Sequence, residues 1–125
     1  MQQATKKPYD LKVRTKQFAI AIMQLIDEMP NKKSTSIIGR QLGRCASSVA
    51  ANYRASSRAK STKDFINKLK IVEEECDEAQ FWLEMLIEGN FYDAMKLKAL
   101  HQEASELTAI IVKSIKTSRG NSSKE

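Results

Sequence analysis

The sequence is short of almost everything that catalysis or covalent cross-linking requires. It has two cysteines, Cys45 and Cys76, in no CxxC or similar spacing, so a disulfide scaffold and a thiolate zinc site are excluded. They read as buried free thiols of a reducing cytosol. A single histidine, His101, leaves no Ser/His/Asp, Cys/His or HExxH arrangement. A di-metal carboxylate bundle needs Glu-x-x-His on two helices, and His101 is followed rather than preceded by glutamate. There is no glycine-rich phosphate loop, so the reading is a protein that is not an enzyme and holds no metal or cofactor. With four glycines and two prolines in 125 residues, turns are scarce, which favours a few long elements joined by short links. Long apolar runs are absent too. "FAIAIMQLI" is too short to span a bilayer, "MQQATKKPYD" has no signal-type apolar region behind it, and a soluble, cytoplasmic protein is expected.

Acid is missing from one long stretch. Between Glu28 and Asp64 the only charges are Lys32, Lys33, Arg40, Arg44, Arg54, Arg58, Lys60 and Lys63, a local +8. The whole chain carries +6, so the remainder is −2. Such a layout allows a polyanionic partner, though it speaks first to solubility and non-specific attraction.

What is present in quantity is helical periodicity. Leu11, Phe18, Ile22, Leu25 and Met29 predict a first helix over about 10–29, stopped by Pro30. A second, over about 35–57 and capped by one of Ser34 to Ser36, buries Ile38, Leu42, Cys45, Val49 and Tyr53. A capping box of Ser61 and Asp64 starts the third, over about 62–88, on Phe65, Leu69, Val72, Cys76, Leu83 and Ile87. "EGN" ends it. The fourth, over about 93–116, uses Leu97, Leu100, Ala104, Leu107, Ile111 and Ile115. Residues 1–9 and 117–125 read as tails, the second disordered. The fold class is all-α: one domain, an antiparallel up-down-up-down four-helix bundle.

On the second helix, Arg40, Arg44, Arg54 and Arg58 fall within roughly 80° of one another, opposite the apolar stripe. Ser47 and Ala51 lie between them, and Arg40 to Arg58 would span ~27 Å at 1.5 Å per residue. With Lys60 and Lys63 they form the candidate nucleic-acid-binding set, since guanidinium forks engage phosphates bidentately. Base-stacking aromatics are nearly absent, so contacts would be to backbone and weakly sequence-specific. The bland reading is a solvated face, or arginines paired with acids of the third helix or of a sister subunit. The third helix carries Glu73, Glu74, Glu75, Asp77, Glu78, Glu84 and Glu88 without an interleaved base. It also places Ile71, Trp82 and Met85, with Phe81 beside them, away from its main stripe. This second apolar sector suggests a subunit contact, with Glu74 and Glu78 available to the arginines of another copy.

The run "SSVAANYRASSRAKSTKDFINKLKIVEEECDEAQFWLEMLIE" resembles the bacterial four-helix bundle family called 23S rRNA intervening-sequence proteins. "RTKQFAIAI" and "SELTAIIVKSIKTS" agree with it, so the resemblance covers nearly everything but the tails. It marks Asn52, Tyr53, Arg54, Arg58, Ser61 and Phe65 as signature positions, followed by Lys68, Glu74, Glu75, Asp77, Glu78, Trp82 and Glu84. Relatives usually have Gly and Glu where this chain has Ala50 and Ala55. Losing the Glu makes the stretch around Arg54 more basic, and losing the Gly bears on helix approach at Ala50. The resemblance implies an antiparallel four-helix subunit and ring-like homopentamers. It also implies kinship with the accessory variability proteins of diversity-generating retroelements, whose basic pentamers bind nucleic acid and a reverse transcriptase.

The expectation is therefore a non-enzymatic homo-oligomer that binds nucleic acid, RNA ahead of DNA, through the arginines of the second helix. The alternative is an oligomeric protein-interaction scaffold whose basic and acidic faces satisfy each other between subunits. A metal-dependent bundle enzyme is a third and weaker reading.

Overall fold

The computed structural model describes residues 10–124, with side chains from 10 to 120; the expected tail at 1–9 lies outside the described residues. Four helices follow in order: α1 (Leu11–Glu28), α2 (Lys33–Ser56), α3 (Thr62–Glu88) and α4 (Ala94–Lys124). Among the described residues there is no strand, and no helix is long and apolar enough to cross a membrane.

The helix boundaries follow from local chemistry. Pro30, with no N–H to donate, lies just beyond the end of α1 at Glu28. α2 starts at Lys33, two residues before the expected position, because Thr35 supplies the capping oxygen rather than a serine: its Oγ1 accepts from Lys32 N–H at 3.1 Å. At the α3 start Ser61 Oγ accepts from Asp64 N–H at 3.0 Å, and the Asp64 carboxylate reaches back to Lys60 N–H at 3.1 Å. The expected capping box therefore closes one residue further upstream. α3 ends in a Schellman motif, with Phe91 N–H donating to Leu86 C=O and Asn90 N–H to Ile87 C=O. Asn90, not Gly89, takes the left-handed conformation, at φ 57°.

The C-terminal end needs correction. The expected disordered tail from 117 is instead a continuation of α4 to Lys124, eight residues beyond the expected end at Lys116. No proline interrupts "TSRGNSSK", and its one glycine costs a helix only about 1 kcal/mol. Packing supports the extension as well, because Ser118 is half-buried against the α2–α3 turn.

Each helix packs along its sequence neighbours and α1 also packs on α4, whereas no Cα of α1 comes within 8 Å of one in α3. The core holds Phe18, Ile22 and Leu25 of α1, and Ile38, Leu42, Cys45 and Val49 of α2. α3 adds Leu69, Val72, Cys76 and Leu83, and α4 adds Leu97, Ala104, Leu107 and Ile111. In α3 the fully buried position of the last turn is Leu86, while Ile87 is half-buried at the edge. α2 approaches α1 closely at Gly39 and Gly43, where Ile26 and Met23 lie over the missing side chains.

Candidate nucleic-acid interface

The structure divides the basic face of α2 into two parts. In the N-terminal part the cations have partners within the chain. Arg40 donates to Ser36 Oγ at 3.3 Å, one helical turn back. Arg44 leans toward α3, where Nη1 bonds both Glu75 oxygens at 3.1 and 3.2 Å and Nη2 reaches Glu78 Oε2 at 2.6 Å. The Trp82 indole N–H donates to that same Glu78 oxygen at 3.0 Å. The Trp82 bond first, and then Arg44, hold the Glu78 carboxyl below its ordinary range. Glu78 and Trp82, expected at a subunit interface, are thus tied into the α2–α3 contact. Their neighbours Ile71, Phe81 and Met85 remain exposed, as does Glu74.

The C-terminal part differs. Arg54, Arg58, Lys60 and Lys63 are exposed, and among the described residues none of them forms an ion pair; Asp64 pairs with Lys68 at 3.6 Å, caps α3 and also feels the charge of Lys60. A shallow cavity of about 470 Å³ joins this turn to α4, lined by Ser56, Ser57, Lys60, Ser61, Thr62 and Ser118 together with Ala59 and Phe65. Lys116 stands beside Ser118 in sequence and is exposed too. The N-terminus of α3, whose peptide dipole favours anions, opens here as well.

Three ligand-type atoms, of Cys45, Glu75 and Glu78, lie within 4.8 Å of one another, a spacing that could hold a metal ion. Arg44 is their occupant, with Nη2 at 3.4 Å from Cys45 Sγ. Burial pushes the Cys45 thiol up to about 12, so the sulfur stays protonated beside a guanidinium that is already bonded to both carboxylates. His101 rests with Nε2 at 2.8 Å from Glu84, a surface tie between α4 and α3.

Two clusters were missed from sequence. Arg14 is nearly buried and donates to both Glu103 oxygens, at 2.7 and 2.8 Å, and to Glu106 at 2.7 Å, clamping α1 onto α4. These carboxylates raise its affinity for the proton further. Its place between Leu11 and Phe18, at i+3 and i+4 spacing, was the available signal. The other is an apolar sector on α1, where Val13, Ile20 and Met23 are about half-exposed.

Fold and site together define a small all-α protein of four helices, with a patch of unpaired cations gathered at the α2–α3 turn. The profile of the family described as 23S rRNA-intervening sequence protein matches residues 9–113, and the chain belongs to that family. It is similar to a solved protein of unknown function from the S23 ribosomal protein family of Bacteroides thetaiotaomicron. The TM-score is 0.79 at 30% identity, over 84% of this chain and 97% of that one. No curated protein matches the chain.

Proposed function

We propose that this protein is a non-enzymatic, homo-oligomeric nucleic-acid-binding accessory protein, with RNA preferred to DNA, acting through the basic end formed at the α2–α3 turn. The observation that carries the reading is the contrast within one chain: Arg14, Arg44 and Lys96 are committed to carboxylates of the fold, whereas Arg54, Arg58, Lys60 and Lys63 are left to solvent. The subunit is an antiparallel up-down-up-down bundle. In support, Glu28 at the end of α1 pairs with Lys96 at the start of α4, while Arg14 near the start of α1 pairs with Glu103 further along α4. A ring of five copies, the assembly the family resemblance implies, would repeat the basic end around an axis and multiply weak phosphate contacts.

The test is a double reversal, Arg54→Glu with Arg58→Glu. Binding to a structured RNA should be lost at moderate salt, and the dependence of log affinity on log salt should flatten by roughly 1.4 to 1.8, the release expected for two phosphate contacts. Helical content and oligomer mass should stay unchanged. Unaltered affinity would overturn the reading.

The protein-interaction scaffold is the second reading, favoured by the way α3 acids already engage Arg44. There the same reversal would change oligomer mass or capture of a protein partner, a reverse transcriptase among the candidates, and leave no RNA binding to lose.

A further inference from the structure

The charge of the bundle is polarised along its length, and α1 shares in that. Segments 10–19, 49–72 and 107–119 hold twelve lysines and arginines against two acids, Asp10 and Asp64, whereas segments 20–48 and 73–106 hold six against twelve acids. The first set gathers at one end. Asp10 is close enough to Tyr53 for its charge to add to burial in raising the phenol, and Ser118 of α4 lines the cavity at the α2–α3 turn. Contacts between α1 and α2 then fix which of their residues stand side by side. Ile26 and Met29 lie over Gly39, while Met23 and Ile26 lie over Gly43, so a step back along α1 is a step forward along α2. Two turns back from Met23 on the same face is Lys16, and two turns on from Gly43 is Ala50. One more turn each way reaches Lys12 and Arg54, and Arg58 follows just past the end of α2. This face therefore carries two rows of cations, Lys12 with Lys16 and Arg54 with Arg58. All four are exposed, and none forms an ion pair among the described residues. Ala50 and Ala51 keep the ground between them low, and packed helices set the rows about 8–10 Å apart.

We propose that these two rows straddle a groove of double-helical RNA, each row neutralising phosphates of one strand. This proposal deepens the nucleic-acid reading stated above and rests on it: it names the strandedness of the ligand and adds Lys12 and Lys16 to the site. Single strands are held in a basic groove by aromatic rings on which successive bases stack. Among the described residues the basic half offers no such ring. Phe18 is buried, Tyr53 and Phe65 pack against the core, and the exposed Phe81 stands on α3 among the acids. A duplex needs no stacking platform. It presents two backbones at a fixed separation and is recognised by shape and phosphate contact rather than by base readout. Two rows of charge one helix spacing apart, over a floor of small side chains, supply that kind of contact.

The experiment measures binding of the full chain to an RNA duplex of about 16 base pairs, the span of a typical double-stranded-RNA site, and to one of its strands alone. Wild type should hold the duplex tighter than the strand by roughly tenfold or more at equal salt. Lys12→Glu with Lys16→Glu should weaken duplex binding by about tenfold or more and flatten its salt dependence by roughly 1.8, the release expected for two contacts to a duplex. Glutamate in the first turn of α1 suits the helix dipole, so helix content by circular dichroism should be kept. Lys12→Gln with Lys16→Gln, which adds no negative charge, should act in the same direction with a smaller loss. Lys33→Glu with Lys98→Glu makes the same change of charge in the acidic half and should alter affinity by less than about threefold. A strand bound as tightly as the duplex would overturn the proposal, as would a Lys12 and Lys16 reversal no worse than that control. A reversal that lowers oligomer mass by light scattering in place of RNA affinity would overturn it too. Where Arg54→Glu with Arg58→Glu still abolishes binding in those cases, the broader nucleic-acid reading survives and this inference alone falls. A wild type that binds neither RNA overturns both.

Discussion

At the scale of single residues, burial decides reactivity and ion-pair value. Cys45 and Cys76 have no accessible surface, and loss of solvation raises their thiols to about 12 and about 11. Neither should react with a thiol-specific alkylating reagent at pH 8 while the protein is folded, and both should react on unfolding, which mass spectrometry after timed quenching would read. The two free thiols were legible in the sequence. Arg14 was not, because an arginine on a core stripe is unreadable until the carboxylates that neutralise it are known, and Glu103 lies far along the chain. Replacing Arg14 with Ala strands that carboxylate beside the core. The cost should be about 2 kcal/mol, below the value for a fully buried pair because Glu106 stays partly wet. Urea denaturation monitored by circular dichroism measures it.

At the scale of elements, three of the four helices begin and end within two residues of where periodicity and capping chemistry put them. α4 runs past its expected end because polar composition is not itself a stop signal; helices stop at a broken backbone bond or a lost packing partner. The α3–α4 junction depends on Asn90. Asn90→Ala should lower stability by about 1 kcal/mol, since alanine resists the left-handed conformation, while Asn90→Gly should be neutral or stabilising. Thermal melts of the two variants would separate these outcomes. The junctions and the α2–α3 contact also set the acid response. Glu28 is held low by Lys96 and then Tyr92, Asp64 by the Lys60 N–H, and Glu78 by Trp82 and then Arg44. All three shifts are downward. The stabilisation they give is therefore full above the ordinary carboxylate range and is lost as pH falls through the depressed folded values. Melting temperature should be flat from neutrality to about pH 5 and drop below about pH 4, and Glu78→Gln should blunt that drop.

At the scale of the whole molecule, charge is arranged in zones. Unpaired cations occupy the end where α2 turns into α3, and α3 acids fill the middle, where Arg44 meets them. The sequence revealed the basic stripe as a single run. It did not reveal the division, because which arginines an acidic helix absorbs depends on helix rotation rather than on spacing along the chain. Lys60→Glu with Lys63→Glu should weaken RNA binding by roughly tenfold or more at low salt, while Arg40→Gln at the other end should change it by less than about threefold. Filter binding across a salt series distinguishes the two. The linkage between α2 and α3 also has a consequence in time. Arg44 is made 31 residues before Glu75 and 34 before Glu78. At about 5–20 residues per second, synthesis exposes it without them for on the order of 2–6 s. For that interval the acid-free, cationic segment stands without the α3 acids, next to the RNA of the ribosome that is making it.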